Sequence, residues 1–157
     1  EVTISKEQLL IDNQPPKDPR DQILLYNYVH GGGGDLPADE WVGLESLPNS
    51  ISKVRTLATY CEDKLALFFQ GRSPAAIVAL CSPVGGIALA GTTASVALTI
   101  PVLPRVPLQL FFWDAEPEDG FEARVKILFT ADVLNFLDIE SLIFTAERLA
   151  EHIMSPS

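Results

Sequence analysis

The chain has 157 residues, enough for one domain that buries roughly 70% of its unfolded surface without disulfide or metal staples. Its 47% hydrophobic and 20% charged content excludes a disordered chain, and a net charge of −10 with no Lys/Arg cluster argues against nucleic acid and anionic membranes as partners. The same field favours cationic ligands or basic protein surfaces.

Residues 1–157 read as one domain whose N-terminal part is truncated, since the chain opens on Glu1 with no initiating Met. Glu1 to Lys17 has no apolar run of signal-peptide type. Val2 to Ile11 is β-type and is broken at Gln14-Pro15-Pro16. Asp18, Pro19 and Asp21 open the first helix as N-cap, first-turn proline and dipole-matched acid, and the helix stops at Gly31. Gly31 to Gly34 follow a helix and lead to Asp35-Leu36-Pro37, so residues 30–40 are expected to be a flexible Gly-rich linker inside the domain, not a phosphate loop.

Ile51, Val54, Leu57, Ala58, Cys61, Leu65, Phe68 and Phe69 form one apolar stripe, predicting a helix from Ser50 to Gln70 that ends at Gly71. A third helix begins at Ser73-Pro74; it is apolar all round through Cys81, which predicts a buried element, and Pro83 ends it. From Ser73 to Pro104 no residue is charged, but Pro74, Pro83, Gly85, Gly86, Gly91 and Pro101 divide the stretch into pieces too short to span a membrane.

The hydrophobic period then changes from helical to two. Val96, Leu98 and Ile100, and later Val125, Ile127 and Phe129, mark strands with one buried face. Leu108 to Trp113 is more evenly apolar and predicts a central strand covered on both faces. Ile87 to Ala90 is expected to pair with Ser95 to Ile100 as a hairpin. A short helix is predicted from about Thr130 to Leu137, then a longer one capped by Asp138 with Glu140 and His152 suiting its dipole. The expected fold is α+β, with a mostly antiparallel sheet of four to five strands packed with four to five helices.

Chemistry-bearing residues are sparse. Asp114, Glu116, Glu118, Asp119 and Glu122 place five carboxylates within nine residues, but a calcium loop counted from Asp114 needs glycine at its sixth position and an acid at its twelfth. Asp119 and Val125 stand there, so the stretch reads as a solvated acidic turn or a site for a cationic ligand or basic partner, with no metal site. Cys61 and Cys81 lack C-x-x-C spacing and read as buried free thiols, which suits a reducing cytoplasm. His30 and His152 sit near helix ends, and no G-x-S-x-G elbow is present, so no catalytic residue is assigned.

Arg105, between Pro104 and Pro107, reads either as an arginine paired with nearby acids or as an anion anchor at a pocket rim. Trp41 and Trp113 read as packing or as pocket walls. Candidate ligand- or partner-binding residues are thus Arg105, Trp113, Trp41, Phe121 and Glu118. The small residues from Gly85 to Thr92 fit tight helix–sheet packing, or the approach of a flat ligand.

The order of LLYNYV at Leu24 to Val29, WVGLESLP at Trp41 to Pro48, Gly91, LPRVPL at Leu103 to Leu108, Trp113, Phe121 and ILF at Ile127 to Phe129 resembles the domain-of-unknown-function 3786 family of anaerobic bacteria and archaea. The resemblance covers about Ile23 to Ile153. It implies a cytosolic protein without an assigned reaction, in a setting of corrinoid or metal-cofactor metabolism. Thr92, Thr130 and Asn49 depart from the pattern, which has acids at the first two positions and glycine at the third, and the acidic stretch before Phe121 is longer than in the pattern.

Together these features imply a non-catalytic binding or accessory domain with no cofactor evident. The alternatives are an enzyme using carboxylate acid–base chemistry from residues 114–122, and an oligomerisation or scaffolding module that joins copies through the uncharged region.

Overall fold

A computed structural model describes residues 1–5, 8–31, 33 and 39–155. Most of the expected 30–40 linker lies outside the described residues.

Five strands form one antiparallel sheet in the order β3-β7-β6-β5-β4: β3 is Trp41–Gly43, β4 Ile87–Ala88, β5 Val96–Leu103, β6 Val106–Trp113 and β7 Arg124–Thr130. β1 (Val2–Ile4) and β2 (Leu9–Ile11) make a separate two-stranded sheet. The helices are α1 (Pro19–His30), α2 (Ile51–Leu57), α3 (Asp63–Phe69), α4 (Pro74–Cys81) and α5 (Ile139–Met154). The α+β expectation and its antiparallel sheet are met, including the hairpin that pairs Ile87 with Thr99 and Ala88 with Leu98.

The period-two pattern sets which side of the sheet is covered. Leu98, Ile100, Leu108, Leu110, Phe112, Ile127 and Phe129 point one way and are fully buried against Leu57, Leu65, Phe69, Ile77, Leu142 and Ala146 of the helices. β6 is central, as expected, but it is not covered on both faces: Gln109, Phe111 and Trp113 remain half-buried. The helices supply one apolar layer, and an antiparallel sheet tolerates water on its other side.

Local signals explain the element ends. Asp18 accepts the Arg20 N–H at 2.8 Å and Asp138 the Ser141 N–H at 2.8 Å, while Ser73 accepts the Ala76 N–H at 3.2 Å. Gly31 follows the last turn of α1 where only glycine fits, since any Cβ there would lie 2.7 Å from the Phe136 carbonyl oxygen. Pro104 and Arg105 form the two-residue turn between β5 and β6, with Arg105 at a left-handed φ of 63° after the proline.

Three further expectations are corrected. The helix from Ser50 to Gln70 is interrupted by a π-turn at Ala58–Glu62, which lets consecutive residues, Cys61 and Glu62, both turn inward. α4 buries only Ile77 and Cys81; Pro74, Ala75, Ala76 and Ala79 are exposed, because small apolar side chains lose little by facing water. No helix starts at Thr130: it pairs with Trp41 as the last residue of β7, and only a short 3-10 turn, Val133–Asn135, follows before α5.

Candidate functional site

The acidic stretch after β6 folds back on itself. Glu116 and Phe121 exchange main-chain hydrogen bonds at 2.9 and 3.1 Å around a 3-10 turn, Pro117–Asp119, that closes on Gly120 with φ of 77°. Only glycine adopts that angle without strain. Glu118 and Asp119 are therefore exposed at the tip, and Phe121 leaves the turn with 65% of its surface exposed.

Asp114 ties this loop to α3. Its Oδ1 accepts the Gly71 N–H at 3.1 Å and the Ala115 N–H at 2.8 Å, and its own N–H donates to Ser95 Oγ at 2.9 Å. Asp114 thus satisfies main-chain donors of the turn that follows α3 and of its own loop. A cleft of about 550 Å3 lies between the two segments, lined by Asp63, Leu67 and Gln70 on one side and Ala115, Phe121 and Glu122 on the other. Leu67 is 75% exposed. The lining contains two carboxylates, Asp63 and Glu122, and no Lys or Arg.

Glu62, the residue before α3, is buried. The last pairing of β3 joins Gly43 to Leu128, and the next N–H along β7, that of Ile127, is taken by Glu62 Oε1 at 2.9 Å. Burial pushes the Glu62 carboxyl above its ordinary value, and the Ile127 hydrogen bond opposes that shift. Burial likewise pushes the Cys61 thiol up to about 12 and the Cys81 thiol up to about 11, so neither forms a thiolate nucleophile near neutrality.

The sequence-derived candidates are dispersed. Arg105 stands exposed at the β5–β6 turn and Trp113 at the opposite end of β6, about 27 Å away at the strand rise of about 3.4 Å per residue, so no single cavity contains both. Trp113 lies on the outward face, stacked on Phe111 at 5.9 Å, with the Arg124 guanidinium 4.4 Å from its ring centre. Trp41 is half-buried on edge strand β3 opposite Thr130. Only Phe121 lines the cleft, with Glu118 at the tip of the same loop. His30 and His152 face the main-chain carbonyl oxygens of Tyr26 at 2.9 Å and Arg148 at 2.6 Å. Among the described residues no group of three or more His, Cys, Asp or Glu side chains is placed to hold a metal ion. No described helix is long and apolar enough to cross a membrane.

Sequence reasoning missed the α3 wall. One signal was present: Leu67 is a large apolar residue off the stripe, which buries Leu57, Cys61, Leu65 and Phe69 although its first member, Ile51, is exposed.

The comparison with known families decides the affiliation, because a match extends over residues 1–152. The chain belongs to the DUF3786 family, a domain of unknown function. No curated protein and no solved structure matched it. The DUF3786 match reaches further towards the N-terminus than the segments that carried the resemblance, and it includes the β1–β2 hairpin. Of the departures, Thr130 is fully buried and its Oγ1 makes no hydrogen bond, a position where an acid would meet a desolvation cost.

Proposed function

We propose that this DUF3786 domain is a non-catalytic binding or accessory domain that receives a basic segment of a protein partner in the cleft between α3 and the 114–122 loop. One observation carries the reading: Leu67 and Phe121, 75% and 65% exposed, border the same cleft as Asp63 and Glu122. Exposed large apolar side chains rimmed by charge of one sign fit a partner with an apolar edge and opposite charge. Unpaired Cys61 and Cys81 support a reducing cytoplasm as its location, and the family resemblance supports a partner in corrinoid or metal-cofactor metabolism.

The alternative is acid–base catalysis by carboxylates of the 114–122 loop. It draws on Glu122 and Asp63 sharing the cleft, while Asp114 is already engaged by the Gly71 and Ala115 amides. An oligomerisation role would instead use the half-buried outward face of the sheet around Phe111 and Trp113.

Fluorescence anisotropy with matched amphipathic peptides, one Lys-rich and one Glu-rich, separates these readings. The Lys-rich peptide is expected to bind, the Glu-rich peptide not to bind, and L67S and F121S to weaken binding about tenfold, as a lost apolar contact of about 1.4 kcal/mol does. Equal binding of both peptides, or wild-type affinity in both variants, overturns the assignment. Loss in W113A alone would move the site to the outward face.

A further inference from the structure

One edge of the five-stranded sheet is β4, and it carries no charge. From Ser73 to Pro104 no residue is charged, in a chain whose net charge is −10, and this stretch supplies both α4 and β4. Proteins protect sheet edges with lysines, prolines or bulges, and Ile87 and Ala88 are neither charged nor proline. Ile87 is 67% exposed, and Ala88 is exposed as well. Pro74 and Val78 of α4 share a groove with Ala88, and α4 turns Pro74, Ala75, Ala76 and Ala79 to water. Strand edge and helix thus form one uncharged border.

Pairing with β5 fixes which main-chain groups of β4 are spare. The Leu89 N–H donates to the Ala97 carbonyl oxygen at 2.8 Å and Ile87 stands opposite Thr99, so residues 87 and 89 turn their main-chain groups toward β5. Ala88 lies between them and turns its N–H and C=O the other way, where among the described residues neither has a partner. Side chains alternate too: Ala88, opposite buried Leu98, lies on the helix side of the sheet, and Ile87, opposite half-buried Thr99, on the outward side.

We propose that this border joins a second copy of the chain across a two-fold axis, with β4 antiparallel to β4 and α4 against α4. An antiparallel edge is complementary to itself, since each Ala88 donates to its counterpart and accepts from it. A two-fold normal to the sheet puts both α4 helices on one side and both Ile87 side chains on the other, so each layer continues across the axis. The main-chain pair sets the register, and the apolar border supplies the area removed from water. Charge selects the occupant. Copies of an acidic chain repel one another at faces that carry carboxylates, as the cleft with Asp63 and Glu122 does, whereas this contact buries none. A basic foreign strand finds no acid in residues 73–104 to favour it. The contact is separate from the peptide cleft and does not depend on it.

Sedimentation velocity of the full chain from micromolar to millimolar concentration tests this, with a monomer–dimer equilibrium expected. A88P removes the outward donor and spares the bonds of residues 87 and 89 to β5; I87E sets two carboxylates across the axis. Each should weaken the dimer at least about tenfold, while W113A leaves it unchanged. Residue-resolved hydrogen exchange gives a second readout: the Ala88 amide should exchange fast in the monomer and slowly in the dimer. A monomer at every concentration, a dimer whose Ala88 amide stays unprotected, or wild-type association in folded A88P and I87E overturns the proposal. So does loss of the dimer in W113A alone, which would assign association to the outward face.

Discussion

Glu62 is a carboxylate that the fold needs for its oxygen and not for its charge. Its Oε1 serves the Ile127 N–H, while burial raises its pKa above 4.5. A carboxyl whose folded pKa is raised binds its proton more tightly in the native state than in the unfolded chain, so its contribution to stability is greatest below 4.5 and declines as pH rises through the folded value. E62Q keeps an acceptor and removes the charge, so at pH 7 it should be stabilised relative to wild type by up to about 1 kcal/mol. The advantage should shrink to nothing as pH falls below 4.5. E62L leaves the buried N–H unpaired and should cost about 1–3 kcal/mol. Urea unfolding of the three proteins from pH 3.5 to 7.5 measures both effects; a wild-type protein that gains on E62Q as pH rises would contradict this account. None of this was legible in the sequence, where Glu62 counted as a polar residue off the apolar stripe, because the π-turn that rotates it inward depends on packing against β7 and not on any local propensity.

At the scale of elements, strand faces and helix caps were legible and layer coverage was not. Alternation along β5 and β7, and the Asp18, Ser73 and Asp138 caps, are local and survive in the fold. Whether a strand is covered on its second face depends on where helices far along the chain come to lie, and for the same reason the Leu67 side of the cleft could not be paired with Phe121 beforehand. Adjacent residues of β6 expose the difference. Phe112 is fully buried, in edge-to-face contact with Phe69 at 5.6 Å between ring centres, so F112A should cost about 3–5 kcal/mol. Trp113 faces outward and loses only its contacts with Arg124 and Phe111, so W113A should cost about 1 kcal/mol. Denaturant midpoints of the two variants report the register directly, and comparable losses would mean that β6 is covered on both faces after all.

Taken as a whole, the molecule has a main body and an attached hairpin. The connected core starts at Leu24 and runs to Ile153, whereas β1 and β2 pair only with each other and bury one side chain thoroughly, Leu9 at 8% exposure. Burying one leucine contributes about 2 kcal/mol, and ordering the hairpin offsets part of it. Deleting residues 1–14 should therefore leave cooperative unfolding intact with Tm lowered by less than about 8 °C, at the roughly 2–4 °C per kcal/mol expected for this chain length. No residue of 1–14 lines the cleft between α3 and the 114–122 loop, so the shortened chain should keep its peptide binding. Differential scanning calorimetry on the shortened chain measures the first effect, and the Lys-rich peptide titration the second. A loss of cooperative unfolding would show that the hairpin is part of the core, in keeping with a DUF3786 match that takes in residues 1–14.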